Sequence, residues 1–213
     1  EIVTWSPHVN ALTVLYDLAP KEQHQKLLDY VVTQQKYELQ PYFMFYVLDA
    51  IQHAGRFDDL GLAFIDKWKN AIDLTTYTLK ENWRQETDFG YSGDFSHAWG
   101  GSPLYYLSRN VLGVTPESPG YEKIAIRPLV SERLTWAKGK VPVGHSQVVF
   151  VSWEKIGETG YRYWIEIPEG REAVLYRPEV LKGCQIKING DLYFVHEKKI
   201  ILAAGSYLVE YIK

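Results

Sequence analysis

Residues 78–113 read TLKENWRQETDFGYSGDFSHAWGGSPLYYLSRNVLG, and the rest of the chain is organised around this stretch. It starts as a glycine-rich loop and continues into a helix, because apolar residues recur at helical spacing after Ser96. It concentrates ionisable groups (Glu81, Glu86, Asp88, Asp94 and His97) among aromatic residues (Trp83, Phe89, Tyr91, Phe95 and Trp99). Long ordered loops on a rigid scaffold commonly hold functional groups. The stretch is therefore the candidate functional site.

The mixture of aromatic rings and carboxyl groups in this loop is what a carbohydrate site requires. Flat rings stack on the C–H faces of a sugar, and carboxyl groups transfer protons. The same composition also describes an ordinary loop with core aromatic residues and solvated acids. Features in the rest of the sequence are needed to distinguish these two interpretations.

Composition excludes several classes of protein. The chain has 213 residues, 23% of them charged, and a net charge of −3, which argues against disorder and against a nucleic-acid-binding surface. The single cysteine, Cys184, excludes an internal disulfide. We find no apolar run of transmembrane length and no signal peptide, so we expect a soluble chain. The missing initiator methionine fits a processed, engineered or truncated product.

The first half of the chain has the periodicity of amphipathic helices. Ser6-Pro7 is a helix start, with Ser6 as the N-cap residue. Pro20 and Pro41 open the second and third helices, and Gly55 closes the third, which is apolar on nearly all sides and therefore expected to be buried on several. The fourth helix is expected from about Phe57 to Ile72, and the fifth from near Ser96.

Two helical architectures compete for this half of the chain. A solenoid of helical hairpins would serve partner binding, but no sequence motif recurs between the hairpins. A two-layer helical toroid alternates buried inner helices with half-exposed outer helices, and the chain shows that alternation. We therefore favour the toroid.

From about Tyr121 the pattern changes to the alternation of β-strands. About eight short strands with turn residues between them predict an antiparallel β-sandwich. The strongest hairpin signal is Asn189-Gly190, since both central positions of a type I′ turn need positive φ. The chain is thus expected to be an α+β protein with a helical domain over 1–113, a boundary at Val114–Gly120 and a β-sandwich domain over 121–213.

Three segments carry a resemblance to a known family: KENWR, then SGDFSHAWGGSPLYYLSRNVLGVTPESPGYEKIAIRP, then LTWAKGKVP. In this order they resemble the C-terminal part of bacterial α-L-rhamnosidases, the six-hairpin glycosidases of glycoside hydrolase family 78. The resemblance covers essentially the whole chain and is strongest over residues 81–142. It implies a partial (α/α)6 barrel of about five helices, followed by a C-terminal β-sandwich.

The resemblance also implies roles for individual residues. It implies inverting hydrolysis of terminal α-L-rhamnosides, in which Glu81 matches the general base, without a cofactor. His97 matches a histidine that lines the sugar subsite, and Trp83 and Trp99 would be walls on which the sugar stacks. Each has a structural alternative: a surface acid, a helix cap and two core tryptophans. Glu86, Asp88 and Asp94 match no family position and are interpreted as solvated acids.

One departure from the family pattern affects the expected activity. In the family the general acid lies well upstream of the base, which here would fall before Glu1. We therefore expect a fragment that carries half of a catalytic site and is weak or inactive alone. We also expect the exposed apolar surface around Tyr42–Ile51 to cause self-association, or association with the missing half of the barrel.

Two other classes of function remain open at this point. The chain could be a carbohydrate-binding or structural module without turnover, or a protein-binding scaffold of helical hairpins. No metal site is expected, because none of the six histidines pairs with another at ligand spacing on one predicted element. The expected partner is a carbohydrate, and neither nucleic acid nor a membrane is expected.

Overall fold

The protein is described here by a computed structural model covering residues 6–33, 39–83, 94–144, 146–194 and 198–213. Within these ranges the chain forms five α-helices and ten β-strands. It divides into two compact units, Glu1–Tyr105, which is helical, and Tyr106–Lys213, which contains all ten strands. The fold is α+β, as the sequence predicts.

The first unit is built from short helices joined by turns. Its helices are α1 (Pro7–Leu15), α2 (Lys21–Thr33), α3 (Met44–His53) and α4 (Leu62–Asp66). A π-helical turn, Phe57–Gly61, precedes α4, and a 3-10 turn, Lys67–Asn70, follows it. A further 3-10 turn, Ala98–Gly101, leads into α5 (Ser102–Tyr106), whose last residue begins the second unit, and the π-helical turn Leu107–Val111 follows in that unit. The five predicted helical segments are all present, but the fourth and fifth change helix type along their length.

The helix ends agree with the residues that predict them. Pro7 is the first residue of α1, and Ser6 precedes it with an extended backbone, although its side chain makes no capping hydrogen bond within the described residues. Gly55 follows α3 at φ 71°, and the Arg56 N–H donates to the Ile51 carbonyl at 2.9 Å. Gly55 therefore ends α3 in the left-handed conformation that its sequence position predicts.

The composition of α3 predicts burial on several sides, but the helix is buried on one face only. Val47, Leu48 and Ile51 are fully buried, whereas Phe45 and Tyr46 keep 37% and 39% of their surface exposed. The helical period explains the difference, because residues three or four apart share a face and residues 45 and 46 point away from it. The outward face of α3 is consequently aromatic.

The second unit contains two sheets. Its strands are β1 (Val114–Pro116), β2 (Lys123–Ile126), β3 (Trp136–Pro142), β4 (Val148–Ile156), β5 (Gly160–Ile167), β6 (Glu172–Tyr176), β7 (Gln185–Ile188), β8 (Asp191–Tyr193), β9 (Lys199–Leu202) and β10 (Gly205–Ile212). One sheet has the order β1-β2-β6-β9 and the other β3-β4-β5-β10-β7-β8. Residues 114–120, where the sequence places the domain boundary, contribute β1.

Strand β5 shows how the alternating pattern places the core. Tyr161, Tyr163 and Ile165 are buried, whereas Trp164 between them is 42% exposed. The turn between β7 and β8 has Asn189 at φ 52° and Gly190 at φ 91°, the left-handed pair that a type I′ hairpin requires. Both features confirm predictions from the sequence.

The strand pairing differs from the predicted antiparallel sandwich at one place. Strands β2 and β6 are parallel, with Ile124 opposite Ala173. Parallel neighbours need a long crossover connection, and β3, β4 and β5 of the other sheet lie between them in sequence. Hydrophobic alternation reveals which face of a strand is buried but not the direction of its neighbour.

Over the described ranges, no helix has the length and apolar character needed to cross a membrane.

Candidate functional site

A hydrogen-bonded turn leads into the segment that carries Glu81. The Asp73 carboxylate accepts hydrogen bonds from the N–H groups of Thr75 and Thr76, at 2.9 and 2.7 Å, and from the Thr76 hydroxyl. Asp73 is only 2% exposed, and its own N–H donates to the Thr78 carbonyl at 2.9 Å. After the turn, the chain runs back beside residues 71–73, and the Lys80 N–H donates to the Ala71 carbonyl. This arrangement fixes the backbone of the site on one side.

Main-chain hydrogen bonds hold Glu81 beside the far end of the loop. The Glu81 N–H donates to the Asp94 carbonyl at 2.9 Å, and the His97 N–H donates to the Leu79 carbonyl at 2.8 Å. The Thr78 hydroxyl adds a bond to the Phe95 carbonyl. The two halves of the quoted motif, KENWR and DFSHAW, are thus joined backbone to backbone.

The three polar side chains of this region form one cluster. One ligating atom from each of Glu81, Asp94 and His97 lies within 4.8 Å of the others. The Asp94 N–H donates to Glu81 Oε2 at 3.1 Å, and Asp94 Oδ2 lies 3.7 Å from His97 Nδ1. Glu81 and His97 are partly buried and Asp94 is exposed, so the cluster is open to solvent. It can accept a proton from water and form hydrogen bonds with hydroxyl groups.

Trp99 connects this cluster to an aromatic pocket. Trp99 is 64% exposed, and its ring lies 6.1 Å from the His97 ring and 5.4 Å from the Tyr42 ring, measured between centroids. The pocket has a volume of about 430 Å³, and its wall includes Tyr42, Phe45, Tyr46, Trp99, Ser102 and Tyr105. An exposed ring beside polar hydrogen-bonding groups can stack against an apolar face of a ligand.

Trp83 occupies a different environment from Trp99. Its indole N–H donates to the Leu39 carbonyl, and its ring meets that of Trp68 edge to face, with 5.1 Å between centroids. Trp68 is 4% exposed, and its own N–H donates to the Gly100 carbonyl at 2.7 Å. Trp83 is therefore anchored in the packing beneath the site, whereas Trp99 lies at its surface.

Among the described residues, two groups of side chains could hold a cation. Besides Glu81, Asp94 and His97, the structure brings together Asp17, His24 and His53, from three separate parts of the helical unit. Residue spacing along one predicted element does not reveal ligands that only tertiary packing brings together. Glu86 and Asp88 lie outside the described residues.

Asp94 is solvated, as expected, with 78% of its side chain exposed, and it also contacts both other members of the cluster. Its position three residues before His97 was an available signal. The sequence predicts an exposed apolar surface around Tyr42–Ile51 but no pocket there, and three aromatic residues of that stretch, Tyr42, Phe45 and Tyr46, line the pocket.

A comparison with protein families matches residues 113–186 to the family described as "Bacterial alpha-L-rhamnosidase C-terminal domain". An α-L-rhamnosidase of Alteromonas sp. (strain LOR) is 27% identical over 140 residues, which make up 61% of this chain and 15% of the relative.

Solved structures show a similar fold over nearly the whole chain. The α-L-rhamnosidase from Dictyoglumus thermophilum has a TM-score of 0.69 at 21% identity, over 98% of this chain and 25% of that chain. The enzyme from Aspergillus terreus also scores 0.69, at 17% identity, over 99% of this chain and 24% of that chain. The Streptomyces avermitilis enzyme, solved with L-rhamnose, scores 0.64 at 18% identity, over 97% of this chain and 21% of that chain.

This chain therefore spans a quarter or less of the length of these relatives. The structural likeness covers both the helical unit and the two sheets, and the family match falls on the strand-rich part. In both sequence and fold, the chain resembles the C-terminal part of α-L-rhamnosidases.

Proposed function

We propose that the chain is the C-terminal part of an α-L-rhamnosidase-like glycoside hydrolase that contributes Glu81 as the general base. The observation that supports this most directly is the position of the Glu81 carboxylate. Main-chain hydrogen bonds hold it beside His97 and Asp94, at the motif that resembles the family. In the proposed reaction, Glu81 removes a proton from a water molecule that attacks the anomeric carbon, with inversion.

The neighbouring residues have supporting roles in this proposal. The Asp94 N–H holds one oxygen of the Glu81 carboxylate and so orients it. His97 forms a hydrogen bond with a sugar hydroxyl, and the exposed Trp99 ring stacks on the sugar. Trp83, bonded to the Leu39 carbonyl, supports the loop from below more than it contacts the sugar. The reaction uses water and carboxyl groups and needs no cofactor.

The opposing general acid is not Asp94 in this proposal. Carboxyl groups of inverting glycosidases lie about 6.5–9.5 Å apart, which leaves room for the attacking water. The carboxylate oxygens of Glu81 and Asp94 lie within 4.8 Å of each other, which is too close for that arrangement. Because this proposal assigns the chain a general base but no general acid, we expect the isolated chain to be weakly active or inactive.

The proposal extends to the architecture. The helical residues 1–113 would form part of an (α/α)6 barrel, and residues 121–213 a C-terminal β-sandwich. The alternation of buried and outward faces on α3 supports the first part, and the two sheets with buried strands β2, β5 and β6 support the second.

Hydrolysis of 4-nitrophenyl α-L-rhamnopyranoside tests the role of Glu81. We expect Glu81→Gln to lower kcat/KM by about 10²- to 10⁴-fold, the range typical of a lost general base. Binding of L-rhamnose, measured by calorimetry, should change little, because the amide keeps the shape of the carboxylate. Glu158→Gln, at an exposed position of the other unit, is the matched control and should leave both unchanged. Wild-type hydrolysis by the Glu81→Gln variant would contradict the proposal.

A carbohydrate-binding module is the second candidate, and the exposed Trp99 beside an aromatic pocket favours it. Trp99→Ala should weaken L-rhamnose binding at least about tenfold, a free-energy loss of about 1.4 kcal/mol. Trp136→Ala is the matched control, since Trp136 is 60% exposed on β3. Binding that depends on Trp99, together with no hydrolysis by the wild-type chain at any concentration, would favour the module over the enzyme.

A further inference from the structure

A second cluster of ionisable side chains lies in the helical unit, among residues that the proposed hydrolase site does not use. Asp17 follows α1, His24 lies near the start of α2, and His53 is the last residue of α3. His53 Nε2 lies 2.9 Å from Asp17 Oδ1, and His24 Nε2 lies 3.7 Å from the same oxygen. Side chains from three separate parts of the helical unit thus meet at one carboxylate oxygen of Asp17.

The spacing of these atoms suits a tetrahedral metal ion. Ligand bonds of zinc measure about 2.0–2.2 Å, which places neighbouring ligand atoms about 3.3–3.6 Å apart in a tetrahedron. The two measured separations, 2.9 and 3.7 Å, lie on either side of that range, and all three ligating atoms lie within 4.8 Å of one another. Side-chain shifts of about 1 Å or less would bring all three atoms to ligand spacing.

Burial and charge are also compatible with a bound cation. His24 is buried, with 7% of its side chain exposed, whereas Asp17 and His53 are 48% and 36% exposed and leave an entry path from solvent. Asp17 places a carboxylate between the two imidazole rings, and a carboxylate oxygen is a ligand that zinc accepts. Lys21 is a neighbouring positive group that acts on the same carboxylate and competes with a cation.

We propose that Asp17, His24 and His53 form a zinc-binding site that joins the ends of α1, α2 and α3. Two imidazole nitrogens and one carboxylate oxygen are a donor set that zinc accepts, with water as the fourth ligand, whereas magnesium and calcium prefer oxygen ligands throughout. His24 Nε2 donates to the Ala19 carbonyl at 3.1 Å, and this hydrogen bond is given up when Nε2 binds zinc, since the ring proton then moves to Nδ1.

Titration of the chelator-treated chain with zinc chloride, followed by calorimetry, tests this site. We expect one zinc ion per chain, and a thermal midpoint raised by about 5 °C or more at saturating zinc, since a ligand that binds only the folded state stabilises it. Asp17→Asn and His53→Gln should each weaken zinc binding at least tenfold. Magnesium chloride at the same concentration should have no effect.

The other cluster provides the matched control. His97→Gln should leave zinc binding unchanged if the ion binds at Asp17, and should abolish it if the ion binds beside Glu81 instead. Cobalt(II) gives a second readout on the wild-type chain, because tetrahedral coordination by these ligands produces strong visible absorption, and this does not depend on whether a variant folds. Absence of zinc binding, or binding that survives both Asp17→Asn and His53→Gln, would overturn the proposal.

Discussion

Asp73 organises the turn that positions the Glu81 segment, because its buried carboxylate accepts three hydrogen bonds. Asp73→Ala leaves the N–H groups of Thr75 and Thr76 without that acceptor, so we expect a loss of about 1–3 kcal/mol in the free energy of unfolding. Urea denaturation measures this loss in the free energy of unfolding. Asp66→Ala is the matched control, since the Asp66 carboxylate forms an exposed ion pair with Lys69, and it should cost less than about 0.5 kcal/mol. Equal losses in both variants would contradict this role for Asp73.

Glu117 and Tyr176 form a pH-dependent pair in the second unit. The Tyr176 hydroxyl donates to Glu117 Oε1 at 2.6 Å, and this bond, followed by one from Arg127, lowers the pKa of Glu117. Because the folded pKa lies below the unfolded one, the stabilisation is complete above pH 4.5 and is lost as the pH falls through the folded pKa.

Tyr176→Phe should therefore raise the pKa of Glu117 toward its ordinary value, and should destabilise the protein more at neutral pH than in acid. An NMR titration of the Glu117 carboxyl measures the first effect, and unfolding as a function of pH measures the second. Tyr207→Phe removes a comparable exposed hydroxyl, bonded to the Ala203 carbonyl, and should leave the Glu117 pKa unchanged. An unaltered pKa in Tyr176→Phe would show that the bond does not form in solution.

At the scale of the element, Gly113 determines how β1 begins. It has φ 77°, and a Cβ atom there would lie 2.1 Å from the Arg127 carbonyl carbon and oxygen. The Arg127 N–H also donates to the Gly113 carbonyl at 2.8 Å, which holds β2 against this point. Close backbone approach therefore excludes any side chain at residue 113.

Gly113→Ala is expected to destabilise the second unit by several kcal/mol, because two backbone segments have to separate. Gly120→Ala is a matched control, since Gly120 has φ 68° but open space around its Cα. It should carry only the cost of a left-handed alanine, about 1–2 kcal/mol. Thermal unfolding of both variants gives the comparison, and similar losses would argue against the close approach at Gly113.

The elements differ in how far their sequence predicts them. Asn189-Gly190 predicts its hairpin because the turn needs two positive φ angles that few residue pairs supply. The parallel pairing of β2 with β6 has no such local signal, since it depends on which strands cross to the other sheet. The same holds for the site: the motif around Glu81 and His97 can be recognised in the sequence, whereas the hydrogen bond from Trp83 to the Leu39 carbonyl and the convergence of His24 with His53 arise only from packing.

At the scale of the whole molecule, the aromatic face of α3 is expected to cause association. Phe45 and Tyr46 on α3 keep 37% and 39% of their surfaces exposed, and Tyr42, just before the helix, keeps 43%. Apolar patches of this kind favour contacts between proteins. Sedimentation velocity should show a second copy of the chain binding as concentration rises, and Phe45→Glu should reduce it. Val180→Glu, at another exposed apolar position, should not. A monomer at all concentrations would contradict this prediction.

The central proposal is that Glu81 acts as the base that activates water in an inverting site. Proton NMR of the first product released from 4-nitrophenyl α-L-rhamnopyranoside tests this directly, with the chain at high concentration so that release outpaces mutarotation. We expect β-L-rhamnose as the first product of the wild-type chain, formed slowly, and none from Glu81→Gln. The α anomer as first product, or the same yield from Glu81→Gln, would contradict the role of Glu81.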